Sequence, residues 1–471
     1  MTSARRFAPH GALLAVAALI AASAPAAAQS LDQALAQGYA TNPRLLAERA
    51  ALRAVDEGVP QALSGWRPTV EVGANIGKRY LNNKPEGFPS SSSTTVPYQT
   101  GLTLSQPIYR GGGTVAGTRA AEARVLAGRA NLIDVEQQVL VDVTTAYMSV
   151  VRDLSVVDLN ISNEQVLERQ LQAARDRFEV GEVTRTDVSQ AEARLSDAQA
   201  LRIEAEGNLE VSRANFLRAV GILPETLTFP DLSTMLSLPE SRQAALAVAE
   251  QRNPALLRAG YLERSALNNI SVAGAQLLPQ VSIDGTVARS WEPSSFFERS
   301  DTAAVFANVT VPLYQSGAEY SRVRELRQIA VQRRREVDDA LRAVRAAVEQ
   351  SWETLQSLRA RIRAFESSVR ANEIALDGVQ QEAAVGARTV LDVLDAEQEL
   401  FLARVNLVRA ESEEVVISFQ LLQVMGGMTV IDLALPVEFY DPAAHYDEVR
   451  EKWIGFGSDY QGGNPFGIGP E

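Results

Sequence analysis

The sequence of 471 residues lacks cysteine and contains only two histidines, His10 and His445. The absence of cysteine excludes disulfide bonds and thiolate ligands for a metal. The HExxH, G-x-S-x-G and phosphate-loop signatures are also absent, so the usual groups for nucleophilic, zinc-dependent or nucleotide chemistry are missing. We therefore predict that the protein is not an enzyme and has no catalytic residues, no metal site and no cofactor.

Long hydrophobic runs are missing too: beyond the N-terminus, no stretch has the roughly 20 apolar residues that a membrane-spanning helix needs. The N-terminus is typical of a secretory signal peptide over residues 1–28, because Arg5 and Arg6 precede an apolar core and an A-x-A cleavage site ends at Ala28. An exported chain without cysteine fits the periplasm or outer membrane of a Gram-negative bacterium. Any membrane contact must then come from β-strands.

Basic residues are fewer than acidic ones, with 45 Lys and Arg against 58 Asp and Glu. The formal net charge is −13, and it becomes −15 when a signal peptide containing Arg5 and Arg6 is removed. Such a chain repels phosphate backbones and attracts cations, so nucleic acid is not an expected partner.

What the chain does contain is an internal duplication. Three pairs of residues are separated by the same 205 positions: Gly181 and Gly386, Thr184 and Thr389, and Asp187 and Asp392. We predict a first structural repeat over residues 29–238, a second over 239–430, and a partly disordered C-terminal tail over 431–471. The Asn-Pro pairs that begin at Asn42 and Asn253 predict matched breaks between short helices.

Each repeat is predicted to contain a hairpin of two long helices joined by a tight turn. In the second repeat, Gly386 can take the left-handed conformation that ends a helix, and Thr389 is a natural N-cap with Asp392 three residues later. Asp395 stands where the first repeat has Gln190, so only the second tip has two carboxylates. The predicted tips lie near residues 181–186 and 386–391.

The helices that lead to these tips are predicted to be very long. Runs without proline extend from residue 113 to about 180 and from 318 to about 385. About 68 residues in a helix span about 100 Å, and such helices need lateral support along their length. Shorter helices are predicted to return over 187–220 and 392–425. The three glycines that begin at Gly111 are interpreted as a hinge between strand and helix rather than as a phosphate cradle.

Between the helical parts the hydrophobic pattern changes to a period of two. We predict strands and enclosed polar loops in the following ranges: strands 69–76 and 98–108 around loop 82–95, and strands 281–287 and 303–313 around loop 292–300. Such strands are typical of a transmembrane β-barrel, although a soluble sandwich fits the same pattern. In a barrel, Glu71 and Asp284 must face the lumen, opposite Val70, Val72 and Ile283.

Four strands cannot close a barrel, and lipid cannot satisfy an open sheet edge. Three chains would supply twelve strands, a number within the known range for outer-membrane barrels. The strand number therefore predicts a homotrimer in contact with outer-membrane lipid.

The duplication, the two V-G-x-x-T tips and the run R-T-V-L-D-V-L-D-A at 388–396 resemble the TolC family of outer-membrane efflux and secretion ducts. The resemblance extends over nearly the whole mature chain, from the first Asn-Pro break to Gly426. It implies a mainly α fold with a β-barrel part. Long antiparallel coiled-coil helices would form a trimeric α-barrel through the periplasm, closed at its inner tip, below a 12-stranded transmembrane β-barrel.

The resemblance also implies roles for residues at the tips. Asp392 and Asp395 match the carboxylates of the pore aperture, while Asp392 could instead serve only as a helix cap. Arg388 matches an arginine that ties the inner hairpin to its neighbour, and Thr186 and Asp187 match its partners. The alternative is an exposed arginine with no fixed partner, and Ala383 replaces a tyrosine that often joins this network. Six residues match the tips that contact an adaptor: Val180, Gly181, Thr184, Val385, Gly386 and Thr389.

Two functions remain open from the sequence. The first is the outer-membrane exit duct of a tripartite efflux or type I secretion system. Such a duct conducts passively after it docks with a periplasmic adaptor (membrane fusion) protein and an inner-membrane pump of the RND, ABC or MFS type. The second is a non-conducting periplasmic coiled-coil spacer. We expect the first, with the protein in the outer membrane and extending into the periplasm.

Overall fold

The computed structural model describes residues 29–231, 235 and 238–456. The predicted signal peptide and the end of the predicted tail, residues 457–471, lie outside the described residues. The first half contains these elements: α1 (Leu31–Thr41), α2 (Pro43–Asp56), α3 (Gly58–Leu63), a 3₁₀ turn (Ser64–Trp66), β1 (Thr69–Ile76), β2 (Arg79–Asn83), β3 (Ser91–Thr95), β4 (Tyr98–Arg110), α4 (Gly113–Glu179) and α5 (Arg185–Val220). The second half contains α6 (Arg242–Arg252), α7 (Pro254–Ala275), β5 (Gln280–Ser294), β6 (Phe297–Thr310), α8 (Ala318–Ala384), α9 (Val390–Val424) and α10 (Ala444–Val449).

The Asn-Pro pairs separate short helices as the sequence predicts. The side chain of Asn42 accepts a hydrogen bond from the backbone N–H of Arg44 at 3.0 Å, and Asn253 accepts one from Ala255 at 3.0 Å. The proline that follows each asparagine occupies the first helical position, where no N–H is needed. Each Asn-Pro pair therefore ends one helix and caps the next.

The main sheet has four antiparallel strands in the order β1-β4-β5-β6. Its register pairs Val70 with Leu104 on one face and Glu71 with Thr103 on the other. Asp284 lies opposite Ser105, so it shares the face of Glu71, as a lumen position requires. For Glu71 and Asp284, the predicted alternation of charged and apolar positions is confirmed.

The predicted loops are wrong in extent. Residues within the expected loop 82–95 contribute to a second hairpin, in which β2 pairs with β3. Strands β5 and β6 extend through the expected loop 292–300, and Ser294 pairs with Phe297 at a tight turn. The period-two pattern marks only residues that alternate apolar and polar, whereas backbone pairing continues through Ser- and Thr-rich segments that lack this alternation.

The two long helices have the lengths that the sequence predicts. At 67 residues each, α4 and α8 span about 100 Å. Both begin after a glycine in the left-handed region: Gly112 has φ of +79° and Gly317 has φ of +80°. At Gly111, φ is +61°, and an added Cβ would lie 2.4 Å from the carbonyl oxygen of Ala275. The strand-to-helix junction therefore requires glycine, as the hinge interpretation predicts.

The largest core lies around the middle of α4, where α1, α5, α9 and the tail converge. Tyr147 is fully buried there, and its hydroxyl lies 2.8 Å from the backbone oxygen of Gln29 and 2.7 Å from that of Thr228, which compete for its one hydrogen. Along α4, Val143, Tyr147, Val150 and Val157 are buried, Leu154 is half-buried and Ile161 is 37 % exposed. The segment after α9 packs on the same core, since the backbone N–H of Tyr440 donates to the hydroxyl of Tyr39.

Helix α8 differs from α4 in how much of it is covered. It buries only the following residues, although it is as long as α4: Ala330, Val344, Val348, Leu355, Leu358 and Leu376. Apolar side chains elsewhere on α8, such as Ile374 at 75 %, are exposed in the single chain. Within the described ranges, no helix is long and apolar enough to cross a membrane.

Candidate functional site: the hairpin tips

The tip of the first hairpin joins α4 to α5. Gly181 has φ of +82°, and the N–H of Glu182 donates back to the carbonyl of Arg177 at 2.9 Å, which closes the end of α4. Thr184 then caps α5, because its Oγ1 accepts the N–H of Asp187 at 3.3 Å. In return, Asp187 Oδ2 accepts from the N–H and the hydroxyl of Thr184, both at 2.8 Å. Asp187 is therefore held by its own tip.

The tip of the second hairpin repeats this geometry between α8 and α9. Gly386 has φ of +77°, and the N–H of Ala387 donates to the carbonyl of Glu382 at 2.9 Å. Asp392 Oδ2 accepts from the N–H of Thr389 at 2.9 Å and from its hydroxyl at 2.8 Å. The prediction of matched turns with a capping threonine is correct in both halves.

Both tips expose an apolar residue where the long helix ends. The C-cap residues Val180 and Val385 are 72 % and 80 % exposed. They are the first residues after α4 and α8 and precede the left-handed glycines, so the turn projects them outward. Each tip thus presents one exposed apolar side chain beside a glycine turn.

The two hairpins are packed together near their tips. Leu394 of α9 is buried in a small core with Leu167 and Leu171 of α4 and with Ala191 of α5. This contact fixes the position of the second tip relative to the first within one chain. It also brings the residues beside Leu394 close to α5.

Asp392 is a helix cap in the structure. Its carboxylate accepts the two hydrogen bonds from Thr389, and these bonds, with the nearby Arg388, hold the pKa of Asp392 below its usual value. The carboxylate is therefore ionised as well as capping, since both effects favour the charged form. The capping geometry leaves the predicted aperture role of Asp392 untested.

Asp395 has a partner that the sequence did not indicate. Arg194 of α5 donates from Nη2 to Asp395 Oδ1 at 2.7 Å, and the two side chains are 37 % and 54 % exposed. The pair joins the hairpins across a sequence distance of 201 residues. No motif marks Arg194, and only the packing around Leu394 brings it to Asp395. The second tip has two carboxylates, as the sequence indicates, and the aperture role of Asp395 stays a prediction.

Arg388 contacts its own tip in the single chain. Its Nε donates to Glu382 Oε2 at 2.8 Å, and this carboxylate raises the pKa of the guanidinium. Thr186 and Asp187, the predicted partners of Arg388, lie at the other tip, where Asp187 is bonded to Thr184. The lock between neighbouring chains stays a prediction.

The charged side chains at the tips have structural and electrostatic roles. Among the residues that the structure describes, no group of three or more His, Asp or Glu side chains is placed to hold a metal ion. The charged groups at the tips instead form hydrogen bonds, caps and ion pairs. This arrangement can position helices and set an electrostatic potential.

Comparisons with known proteins agree with this architecture. The family described as "Outer membrane efflux protein" matches residues 26–222 and 245–427. The outer membrane efflux protein BepC of Brucella suis is 34 % identical over 431 residues, which are 91 % of this chain and 92 % of that protein. The outer membrane protein TolC of Vibrio cholerae is 26 % identical over 428 residues, which are 89 % of this chain and 96 % of that protein.

A solved structure has the same fold. The outer membrane protein VceC of Vibrio cholerae superposes with a TM-score of 0.72 at 18 % identity, covering 84 % of this chain and 96 % of that one. The family match spans most of the chain, and its members are channels rather than enzymes. The chain therefore belongs to the outer membrane efflux protein family, the TolC family of channels that extend from the outer membrane into the periplasm.

Proposed function

We propose that the protein is the exit duct of a tripartite efflux or type I secretion system and conducts its substrates passively. The observation that carries this proposal is the four-stranded sheet, which is apolar on one face and polar on the other and has outer strands β1 and β6 at its edges. Lipid can cover the apolar face but cannot satisfy the edges. The polar face suits a water-filled lumen.

A trimer supplies what the single chain lacks. The edge strand β6 of one chain can pair with β1 of the next, and three sheets of four strands then close a barrel of twelve. The same assembly would cover α8, whose apolar residues such as Ile374 are exposed in one chain. Burial of this surface between chains favours a stable trimer.

The second tip is the proposed aperture. Three-fold symmetry would arrange Asp392 and Asp395 from each chain around a narrow opening at the inner end of the helices. Acidic rings raise the local cation concentration and repel anions. Because Arg194 bonds to Asp395, part of this negative charge is neutralised within each chain. We therefore propose a moderate cation preference.

The same tips are the proposed sites of gating and docking. Arg388 would exchange Glu382, its partner in the single chain, for Thr186 and Asp187 of the neighbouring chain and so hold the opening closed. The exposed Val180 and Val385 beside their glycine turns would receive the adaptor, which links the duct to an inner-membrane pump.

The decisive experiment measures mass and conductance on the same purified protein. Light scattering with the detergent mass subtracted should give three chains, and planar-bilayer recordings should show discrete channels. A monodisperse monomer would refute the shared barrel. A trimer without conductance, even after Arg388→Ser, would instead support the non-conducting periplasmic spacer.

A further inference from the structure

A charged cluster interrupts the apolar face of the sheet. Arg289 on β5 and Asp301 on β6 are cross-strand partners, and Trp291 pairs with Arg299 in the next position on that face. Arg289 donates from Nε and Nη2 to the two oxygens of Asp301 at 2.6 and 3.1 Å, and Arg299 Nε lies 3.5 Å from the same carboxylate. Two guanidinium groups thus share one carboxylate, and the cluster has a net charge of +1.

The register places this cluster on the same side as the apolar residues. Arg289 is opposite Thr100, which lies two positions from Leu102 on β4, and Leu102 is opposite both Val72 and Val287. Side chains two apart on a strand point to the same face. The arginines therefore face the lipid in an outer-membrane barrel, on the side away from Glu71.

The cluster also lies at the outer end of the sheet. The helices leave the sheet at the opposite end, where Arg110 pairs with Gln280, and they extend into the periplasm. Near the cluster, the rings of Tyr98 and Trp291 stack with centroids 4.3 Å apart. Aromatic residues concentrate at the boundary between hydrocarbon and headgroups, so the arginines lie at headgroup depth in the outer leaflet.

An apolar groove leads from this cluster toward the middle of the sheet. Its volume is 490 Å³. Its apolar part is lined by Val72, Leu102, Val287 and Ala303, and its polar end by Thr100, Asp301 and Thr302 beside Arg289 and Trp291. Its lining and open side suit an acyl chain lying along the strands. The guanidinium groups stand at the end where the headgroup of such a lipid would be.

We propose that Arg289 and Arg299 bind the phosphate of an acylated lipid in the outer leaflet, with one acyl chain in the groove. A net positive cluster beside hydrocarbon needs an anion. Because Arg289 gives Nε and Nη2 to Asp301, the donors left for a phosphate are its Nη1 and the planar guanidinium of Arg299. The apolar groove distinguishes a lipid from free phosphate. The site depends on the location of the sheet in the outer membrane and is independent of whether the protein conducts.

The test measures binding of lipid A, and of the same lipid without its phosphates, to the delipidated protein in detergent by native mass spectrometry. We expect wild-type protein to retain lipid A and to lose it when the phosphates are removed. Arg289→Gln with Arg299→Gln should weaken lipid A binding about tenfold or more, the amount expected for lost hydrogen bonds to a charged group. Arg213→Gln, which removes an exposed ion-paired arginine from α5, should bind as wild type.

Arg299→Gln alone keeps the Arg289–Asp301 pair, so it tests the site even if the double variant misfolds. It should also weaken lipid A binding measurably. The proposal is overturned if Arg299→Gln and the double variant both retain lipid A as wild type does, or if the phosphate-free lipid binds equally well. Displacement of lipid A by millimolar inorganic phosphate would also overturn it, because the site would then be a simple anion site.

Discussion

Replacement of Arg194 by glutamine should increase the cation preference of the channel. Arg194 bonds to Asp395 at 2.7 Å, while Asp392 on the same helix is held by Thr389. The substitution removes the positive charge and keeps a side chain of similar length that can still donate a hydrogen bond. Since both members of the pair are partly exposed, its loss should cost only about 0.2–1 kcal/mol of stability, and the trimer should remain intact.

The size of the effect follows from the charges at the proposed aperture. Six carboxylates with three arginines have a net charge of −3, and without the arginines the net charge is −6. A cation about 8 Å from each arginine is repelled by about 0.5 kcal/mol per arginine in water. Screening with a Debye length of about 10 Å at 0.1 M salt reduces this to about 0.7 kcal/mol for all three arginines, or about threefold in cation concentration.

Reversal potentials in planar bilayers under a potassium chloride gradient measure this change directly. At 0.1 M salt, the ratio of potassium to chloride permeability should be about threefold higher in Arg194→Gln than in wild type. At 1 M salt, where the Debye length is about 3 Å, the two proteins should have almost the same ratio. Arg175→Gln is the matched control, because Arg175 pairs with Glu192 within the first hairpin. Equal selectivity in wild type and Arg194→Gln at 0.1 M salt, or an equal shift in Arg175→Gln, would refute the reasoning.

Three further predictions concern the tips and the core. Asp395→Ala should abolish block of the channel by trivalent cations added from the periplasmic side, because it removes a carboxylate without disturbing the cap at Asp392. Undiminished block at several ionic strengths would contradict the aperture role. Arg388→Ser should raise single-channel conductance, because Ala383 offers no phenol to hold the tip closed; unchanged conductance would mean that the contact with Glu382 is only a surface pair. Glu136 accepts the N–H of Val430 at 2.9 Å, and its burial raises its pKa in the folded protein. The folded state therefore loses stability as pH rises through this folded-state pKa and the buried side chain becomes charged. Glu136→Gln should therefore raise the melting temperature of the protein at about pH 8 and change it little at about pH 4, and a loss of stability at both pH values would contradict this.

Much of the fold follows from local sequence patterns. The runs without proline predict the ends of α4 and α8 to within one residue, because the glycine turns that end both helices act locally. The alternation predicts the four strands of the main sheet. It does not predict the extension of β5 to Ser294 or the hairpin of β2 and β3. Those segments are strands because their backbones pair with neighbouring strands. Their side chains are mostly polar, so the sequence shows no alternation that would reveal them.

The candidate site divides in the same way. Local sequence is enough to predict the matched tips, the capping threonines and the two carboxylates Asp392 and Asp395, since each depends on residues within one turn of helix. Only the tertiary structure decided that Asp395 is paired, because Arg194 is distant in sequence and reaches it through the packing of Leu394 against the first hairpin. It also decided that Arg289 shares the apolar face of the sheet with Val72, which depends on strand register. Contacts between distant segments depend on how whole helices and strands pack, and no short stretch of sequence encodes that arrangement.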